Sequence, residues 1–231
     1  MPDLPVTVAG HICLDIAPLF SGGTRDLAKI LVPGKLINVG GAEITPGGVL
    51  GNTGLALHRL GIQTRLLGKV GEDAFGRALL DLLEARGPGL ASGIKADRDE
   101  ATSYTVVISP PGVDRIFLHC PGSNDTLGPD DFDPSGRGFF HFGYPPIMKN
   151  FYEDGGENMR SLLDRAKEAG LTTGLDMVKP DPASAAGRVD WRAWMRRVLP
   201  AVDLFLPSLE EILLMLDRKK YPWAEQGLDP G

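Results

Sequence analysis

Several groups of residues in this chain could do chemistry on a small molecule. The most unusual stretch is Pro46-Gly47-Gly48-Val49-Leu50-Gly51-Asn52-Thr53-Gly54. Adjacent glycines ahead of a helical pattern let the backbone approach a ligand closely and expose its N–H groups. Asn52 falls in the first turn of that helix, where its amide can both donate and accept hydrogen bonds. Asp15 lies just past the apolar centre of Val6–Leu14, which places a carboxylate near the C-terminal end of a strand. Asp176 ends the strand pattern Leu171–Asp176, and Pro207-Ser208 follows the strand pattern Val202–Leu206. Ser208 and Glu211 have the spacing of a capping box at the head of Leu209–Leu216. Ligands of open α/β sheets bind beyond the carboxyl ends of the strands. Asp15, Asp176 and the Pro207-Ser208 turn are therefore expected to gather at one rim.

The elements that must position these groups alternate in type. A helix starting at Val49 carries Thr53, Ala56, Leu57 and Leu60 on one face and stops at Gly61. Gln63–Val70 reads as a strand, and Asp73 as the N-cap of a helix with the core stripe Phe75, Ala78, Leu79, Leu82 and Leu83. Residues 21–48 are broken by glycine and proline and read as a loop or small β excursion, not a helix. Thr102–Ser109 and Arg115–Cys120 form a hairpin pattern around Pro110-Pro111-Gly112. Strand and helix patterns then alternate again: Gly138–Phe142, Met159–Ala169, Leu171–Asp176 and Trp191–Leu199. The fold class expected is α/β, a parallel sheet covered by helices on both faces, with a small β element drawn from residues 16–46 and 100–121.

Composition removes other classes. The chain has 231 residues, 42% hydrophobic and 23% charged, which suits one large globular domain. A net charge of −6 is a poor match for a nucleic-acid backbone or an anionic membrane, so neither is expected as a partner. No apolar run is long enough for a membrane span, and the N-terminus lacks a basic n-region, so a cytoplasmic location is expected. Cys13 and Cys120 form no C-x-x-C and are expected as reduced thiols. The glycines at 48, 51 and 54 are not a dinucleotide fingerprint, and no Walker A occurs, so a nicotinamide oxidoreductase has little support. The histidines show no helical i, i+4 pair for zinc, and His119 reads as a structural histidine.

With these residues in view, the chain resembles the ribokinase-like (PfkB) carbohydrate kinase family. The Gly47-Gly48-x-x-x-Asn52 helix start, Leu60-Gly61, and Gly68-Lys69-Val70-Gly71-Glu72-Asp73-Ala74-Phe75-Gly76 resemble its first signature. His119–Asp125 resembles the segment after its lid hairpin, and Val202–Glu211 its N-x-x-E turn. The resemblance implies an ATP-dependent kinase that phosphorylates a hydroxymethyl group of a sugar, nucleoside or similar molecule, with Mg2+. It implies that Asp15, Gly47, Gly48 and Asn52 bind substrate, and that the hairpin belongs to a lid. It implies Ser208, Glu211 and Asp176 on the nucleotide side, with Glu211 organising the metal. Ser208 stands where the family usually has Asn. A homodimer through the β lid is a further implied partner.

Phosphoryl transfer also needs a base and an anion site for the moving phosphate. The family supplies both in D-T-x-G-A-G-D, in its final third, and no such motif occurs among these 231 residues. No catalytic base is assigned. The expectation is a truncated ribokinase-like domain over 1–231, with the base beyond Gly231 and little activity or an aggregating open sheet edge as given. The alternative from another class is a non-catalytic sugar-binding or regulatory protein using Asp15 and Asn52.

Overall fold

A computed structural model describes residues 4–20, 27–112 and 114–221. The chain opens with β1 (Val6–Gly10) and β2 (Ile12–Pro18), followed by one helical turn, α1 (Leu27–Ile30), and β3 (Ala42–Gly47). A π-helix (Leu50–Gly54) leads into α2 (Leu55–Arg59), and β4 (Thr64–Gly71), α3 (Ala74–Arg86) and β5 (Ile94–Asp97) follow. The hairpin is β6 (Tyr104–Ile108) and β7 (Ile116–Cys120). The rest is β8 (Phe139–Gly143), α4 (Lys149–Tyr152), α5 (Glu157–Glu168), β9 (Thr172–Asp176), α6 (Trp191–Val198), β10 (Leu204–Phe205) and α7 (Leu209–Leu216).

Two sheets result. The larger has the order β10-β9-β8-β1-β4-β5, with every pairing parallel. Alternate residues of its strands feed two separate cores. Val8 and Leu66 pack with Leu50, Leu79 and Leu83, while Ala9 and Leu67 pack with Phe140, Phe142, Leu162 and Trp194 on the other side. That is the period of two expected of a strand buried on both faces. The smaller sheet, β3-β2-β6-β7, is mixed: β2 is antiparallel to β3 and parallel to β6, and β6–β7 is an antiparallel hairpin.

The apolar run Val6–Leu14 is not one strand. It breaks at His11, so that β1 belongs to the large sheet and β2 to the small one. Gly10 makes the break, with φ +122°; a Cβ there would stand 2.4 Å from the carbonyl oxygen of Gly143. Asn124 fixes the new direction. Its buried side chain accepts from Ile12 N (3.1 Å) and donates to the carbonyls of Ile12 (2.9 Å) and Pro121 (3.1 Å). The consequence for Asp15 is a correction. It lies inside β2, paired across to Thr45 and Thr105, and not at the end of a core strand.

Three further expectations change. Residues 21–48 do include one helical turn, α1. The helix after Val49 opens in π geometry, whose wider turn shifts the buried face. Leu50, Gly54 and Leu55 face the core, while Leu60 is 78% exposed and Ala56 is exposed. The strand Val202–Leu206 shortens to Leu204–Phe205, and β5 carried too little apolar pattern to be read from sequence. The other expected strands and helices form within a residue or two of their patterns, but Phe75 of the expected α3 core stripe is 38% exposed, and α4 carried no pattern to read. Asp73 caps α3 by accepting from Gly76 N at 2.8 Å, and Gly87 ends that helix.

Replacing Asn124 with Ala strands the buried N–H and C=O of Ile12 at the junction of the two sheets. Each unsatisfied group costs about 1–3 kcal/mol, so Asn124→Ala is expected to lower unfolding stability by roughly 3 kcal/mol in urea titrations.

Candidate active site

The small sheet forms one wall of a cavity of about 690 Å³. Cys13, Asp15, Thr105 and His119 line it from the small sheet, Gly48 and Asn52 from the π-helix start, and Tyr144 from the turn after β8. Three of the residues read from sequence as substrate-binding, Asp15, Gly48 and Asn52, thus share one cavity. They reach it from different elements, which sequence distance concealed.

The double glycine is needed for close approach. A Cβ on Gly47 would lie 2.2 Å from the Asp15 carboxylate, and one on Gly48 would lie 2.4 Å from the carbonyl oxygen and 2.6 Å from Nδ1 of His11. Gly48 also has φ +72°, in the region that favours glycine. The clasp therefore brings the end of β3 against the Asp15 side chain on β2.

Asp15 accepts from the Cys13 thiol at 3.2 Å. Burial pushes its carboxyl up from the ordinary value, and hydrogen bonds from Cys13 and Thr105 pull against that rise. Burial also pushes the Cys13 thiol well up, so it stays a neutral donor beside the carboxylate. Both cysteines are free thiols. His119 is more than a satisfied structural histidine. Its Nε2 lies 3.3 Å from Nε2 of His11, its Nδ1 lies 3.0 Å from the Thr105 hydroxyl, and it lines the cavity. Burial lowers the pKa of both rings.

Tyr144 was not legible as a site residue. Among the described residues it is the one non-glycine with positive φ (70°), a conformation that costs of order 1 kcal/mol. Its N–H donates to the Asp176 carbonyl (3.2 Å), and Pro145 and Pro146 open the next turn. Its hydroxyl accepts from Asn52 Nδ2 at 3.3 Å. The signal available was a strand running into Gly143-Tyr144-Pro145-Pro146, a turn signature at the carboxyl end of a central strand.

Asp176, Ser208 and Glu211 do not line this cavity. Asp176 ends β9 beside Tyr144, and its carboxyl is pushed up to about 6 by burial and by the negative charge of Glu211. Asp176 and Glu211 also raise the pKa of the Tyr144 phenol, after its own burial. The two carboxylates therefore lie close enough to Tyr144, and to each other, for their charges to be felt. Ser208 and Glu211 close a capping box: Ser208 N donates to Glu211 Oε2 (2.7 Å) and Glu211 N to Ser208 Oγ (3.2 Å). Each carboxylate keeps an oxygen without a backbone bond, because Asp176 Oδ1 takes Met177 N and Glu211 Oε2 takes Ser208 N. Two like-charged hard-oxygen donors of this kind fit a Mg2+ that keeps most of its water. Among the described residues no cluster of three or more histidine, cysteine or acidic side chains is placed to hold a metal alone.

Among the described residues, no helix is long and apolar enough to cross a membrane. A family model described as pfkB family carbohydrate kinase matches residues 24–228. A protein called an uncharacterized sugar kinase from Archaeoglobus fulgidus is 26% identical over 178 residues, covering 77% of this chain and 66% of its own. A fructokinase from Solanum tuberosum is 29% identical over 176 residues, covering 72% of this chain and 49% of its own. The solved structure of a putative ribokinase II from E. coli with ATP and Mg2+ superposes with a TM-score of 0.69. It is 20% identical and covers 97% of this chain and 68% of that one, a likeness of fold. The chain thus spans about half to two thirds of the length of the curated relatives it matches.

The raised carboxyl of Asp176 has a testable sign. The folded state holds its proton up to about pH 6, whereas the unfolded chain loses it near 4. Its contribution to stability is present below pH 4 and lost as pH rises through 6. Asp176→Asn avoids that loss, so its stability relative to the parent protein is expected to rise between pH 4 and pH 7. After solvent screening the gain is on the order of 1–2 kcal/mol, read by denaturant titration in chelator.

Proposed function

The chain belongs to the pfkB family of carbohydrate kinases, and from that premise we propose that its cavity binds a small polyol whose hydroxymethyl group is the acceptor in ATP-dependent phosphorylation. The observation that carries this reading is the convergence of Asp15, Gly48 and Asn52 on one cavity beneath a β sheet built from two separate chain segments. A carboxylate with spare acceptor capacity and a carboxamide that donates and accepts are complementary to a row of sugar hydroxyls. The sugar or nucleoside lies against the Gly47-Gly48 backbone, with Asp15 and Asn52 fixing its hydroxyls. The small sheet acts as a lid that excludes water.

Asp176 and Glu211 would hold Mg2+, and Ser208 would face the nucleotide from the head of α7. When bound, the ion neutralises charge on the ATP phosphates. The chain's own part is to hold two carboxylates in place: the capping box orients Glu211, and the strand end orients Asp176. Burial of Asp176 raises the energy of its free anion, so a cation at this position is favoured more strongly than by an exposed carboxylate. A second copy of the chain, paired lid to lid, would cover Ile44 and Leu118. Both are about half exposed and alternate with Thr45 and His119, which share the face of Asp15.

A second reading is a sugar-binding protein without kinase activity. It rests on the same hydroxyl-binding groups, Asp15 and Asn52, which need no base or anion hole of the D-T-x-G-A-G-D kind to bind a sugar. The nearest approach to that motif, Asp125-Thr126-Leu127-Gly128 followed by Asp131, does not replace it. Asp131 is spent on Gly128 N (2.9 Å) and Lys95 (3.1 Å).

Calorimetry with D-fructose, D-ribose and a nucleoside tests the binding site. One of them is expected to bind the parent protein, with affinity at least tenfold weaker in Asp15→Ala and Asn52→Ala; a well-folded protein that binds none removes both readings. Coupled ADP release then separates them, since binding without turnover favours the second.

A further inference from the structure

The inner face of the lid carries a row of polar side chains that the binding reading does not use. Asp15 on β2 pairs across to Thr105 on β6, and Thr105 to His119 on β7, so the three stand side by side. Beyond His119 the row continues to His11, at the junction where the chain leaves the large sheet.

The protons of this row can run in one direction only. An ionised carboxylate has none to give, so the Cys13 thiol donates to Asp15 at 3.2 Å, and the Thr105 hydroxyl in turn donates to Cys13 Sγ at 3.6 Å. A hydroxyl has one proton, so Thr105 must accept from His119, whose Nδ1 lies 3.0 Å away. Nδ1 of His119 then carries the hydrogen and its Nε2 is bare, because burial keeps the ring neutral. The 3.3 Å contact between the two Nε2 atoms must therefore be a bond donated by His11. That leaves Nδ1 of His11 as a bare acceptor. It is indeed the one buried side-chain polar atom without a partner among the described residues.

We propose that His119 and Thr105 are positioning residues for Asp15: the chain His11→His119→Thr105→Cys13→Asp15 fixes the rotamer and proton state of the substrate-binding carboxylate and ties it to closure of the lid. The Cys13 thiol, itself oriented by Thr105, holds the carboxylate from the sheet side. The carboxylate's remaining acceptor capacity is left for a ligand hydroxyl in the cavity. Because every link points its hydrogen toward Asp15, the carboxylate stays an acceptor, and the group it takes from the cavity is a donor such as a sugar hydroxyl. Because His11 belongs to the junction and His119 to β7, the chain forms only when the lid lies against the core. The unpartnered Nδ1 of His11 is the cost of this single direction, since any donor placed there would need the space that Gly48 keeps empty.

The part concerning ligand binding rests on the proposed function; the effect on the carboxylate does not, and the two are measured separately. Carboxyl NMR of aspartate-labelled protein reads the titration of Asp15, and calorimetry with D-fructose reads binding. Thr105→Val is expected to raise the Asp15 pKa by about half a unit to one unit, and Thr105→Ser to restore it. His119→Phe shifts it the same way, whereas His119→Asn, which keeps a donor at the Nδ1 position, does not. Fructose affinity is expected to fall about tenfold in Thr105→Val and His119→Phe and to recover in the Ser and Asn variants. The proposal is overturned if all four variants titrate Asp15 like the parent protein, or if Phe and Asn at position 119 behave alike. Should Thr105→Val not fold, the position 119 pair decides. Should the parent protein bind no fructose, the substrate reading suffers and the carboxyl titration still decides this one.

Discussion

The arrangement of this protein depends on the turn at Gly10-His11-Ile12. Six parallel strands alone would make a flat-topped α/β layer with a rim and no roof. By leaving the large sheet after Gly10, the chain carries Asp15 up into a second sheet that stands over that rim. The turn is held by hydrogen bonds as well as by the packing of Ile12 in the core. His11 N reaches the Gly143 carbonyl (3.3 Å), and Asn124 satisfies both backbone groups of Ile12 where strand pairing changes from one sheet to the other. Buried backbone groups without partners would not tolerate such a crossing. A fully buried asparagine, brought from the segment after the hairpin, resolves it and at the same time anchors the returning lid.

The electrostatics of the site follow from this geometry. The lid and the sheet together withdraw Asp15 and Asp176 from water, and burial raises both carboxyls. Their environments then diverge. Asp15 is surrounded by neutral donors, which hold the anion in place and leave it as an acceptor. Asp176 faces a second carboxylate, Glu211, which makes its anion less favourable and the position receptive to a cation. Tyr144, held in left-handed geometry between the Gly143 strand end and two prolines, bonds Asn52 and feels the charge of Asp176 and Glu211. One carboxylate is suited to hydroxyl donors and the other to positive charge.

Much of this was readable from residue types. The α3 cap at Asp73, the capping box of Ser208 and Glu211, and the hairpin around Pro110-Pro111-Gly112 are local. Their patterns depend on neighbours within a few residues, and the structure keeps them. The π turn at Leu50–Gly54 was not legible, because one extra residue per turn leaves the composition unchanged and only moves the buried face. The split at His11 was hidden because both halves of Val6–Leu14 are apolar and β-rich, and nothing in that pattern says which sheet a strand joins. His11 and Thr105 carried no signal as site residues, since a lone histidine or threonine in or beside a strand pattern is ordinarily structural.

The sequence by itself determined the alternation of strands and helices, the paired glycines ahead of the Asn52 turn, the acidic end of the Asp176 strand and the family resemblance, because each rests on local spacing. The tertiary structure alone decided that Asp15 belongs to the small sheet, that His119 meets His11, and that Asp176 and Glu211 come within reach of each other's charge and of Tyr144. Those relations join residues far apart in the chain. They are fixed by which strand pairs with which, and pairing is settled only when the whole core and its buried hydrogen bonds close together.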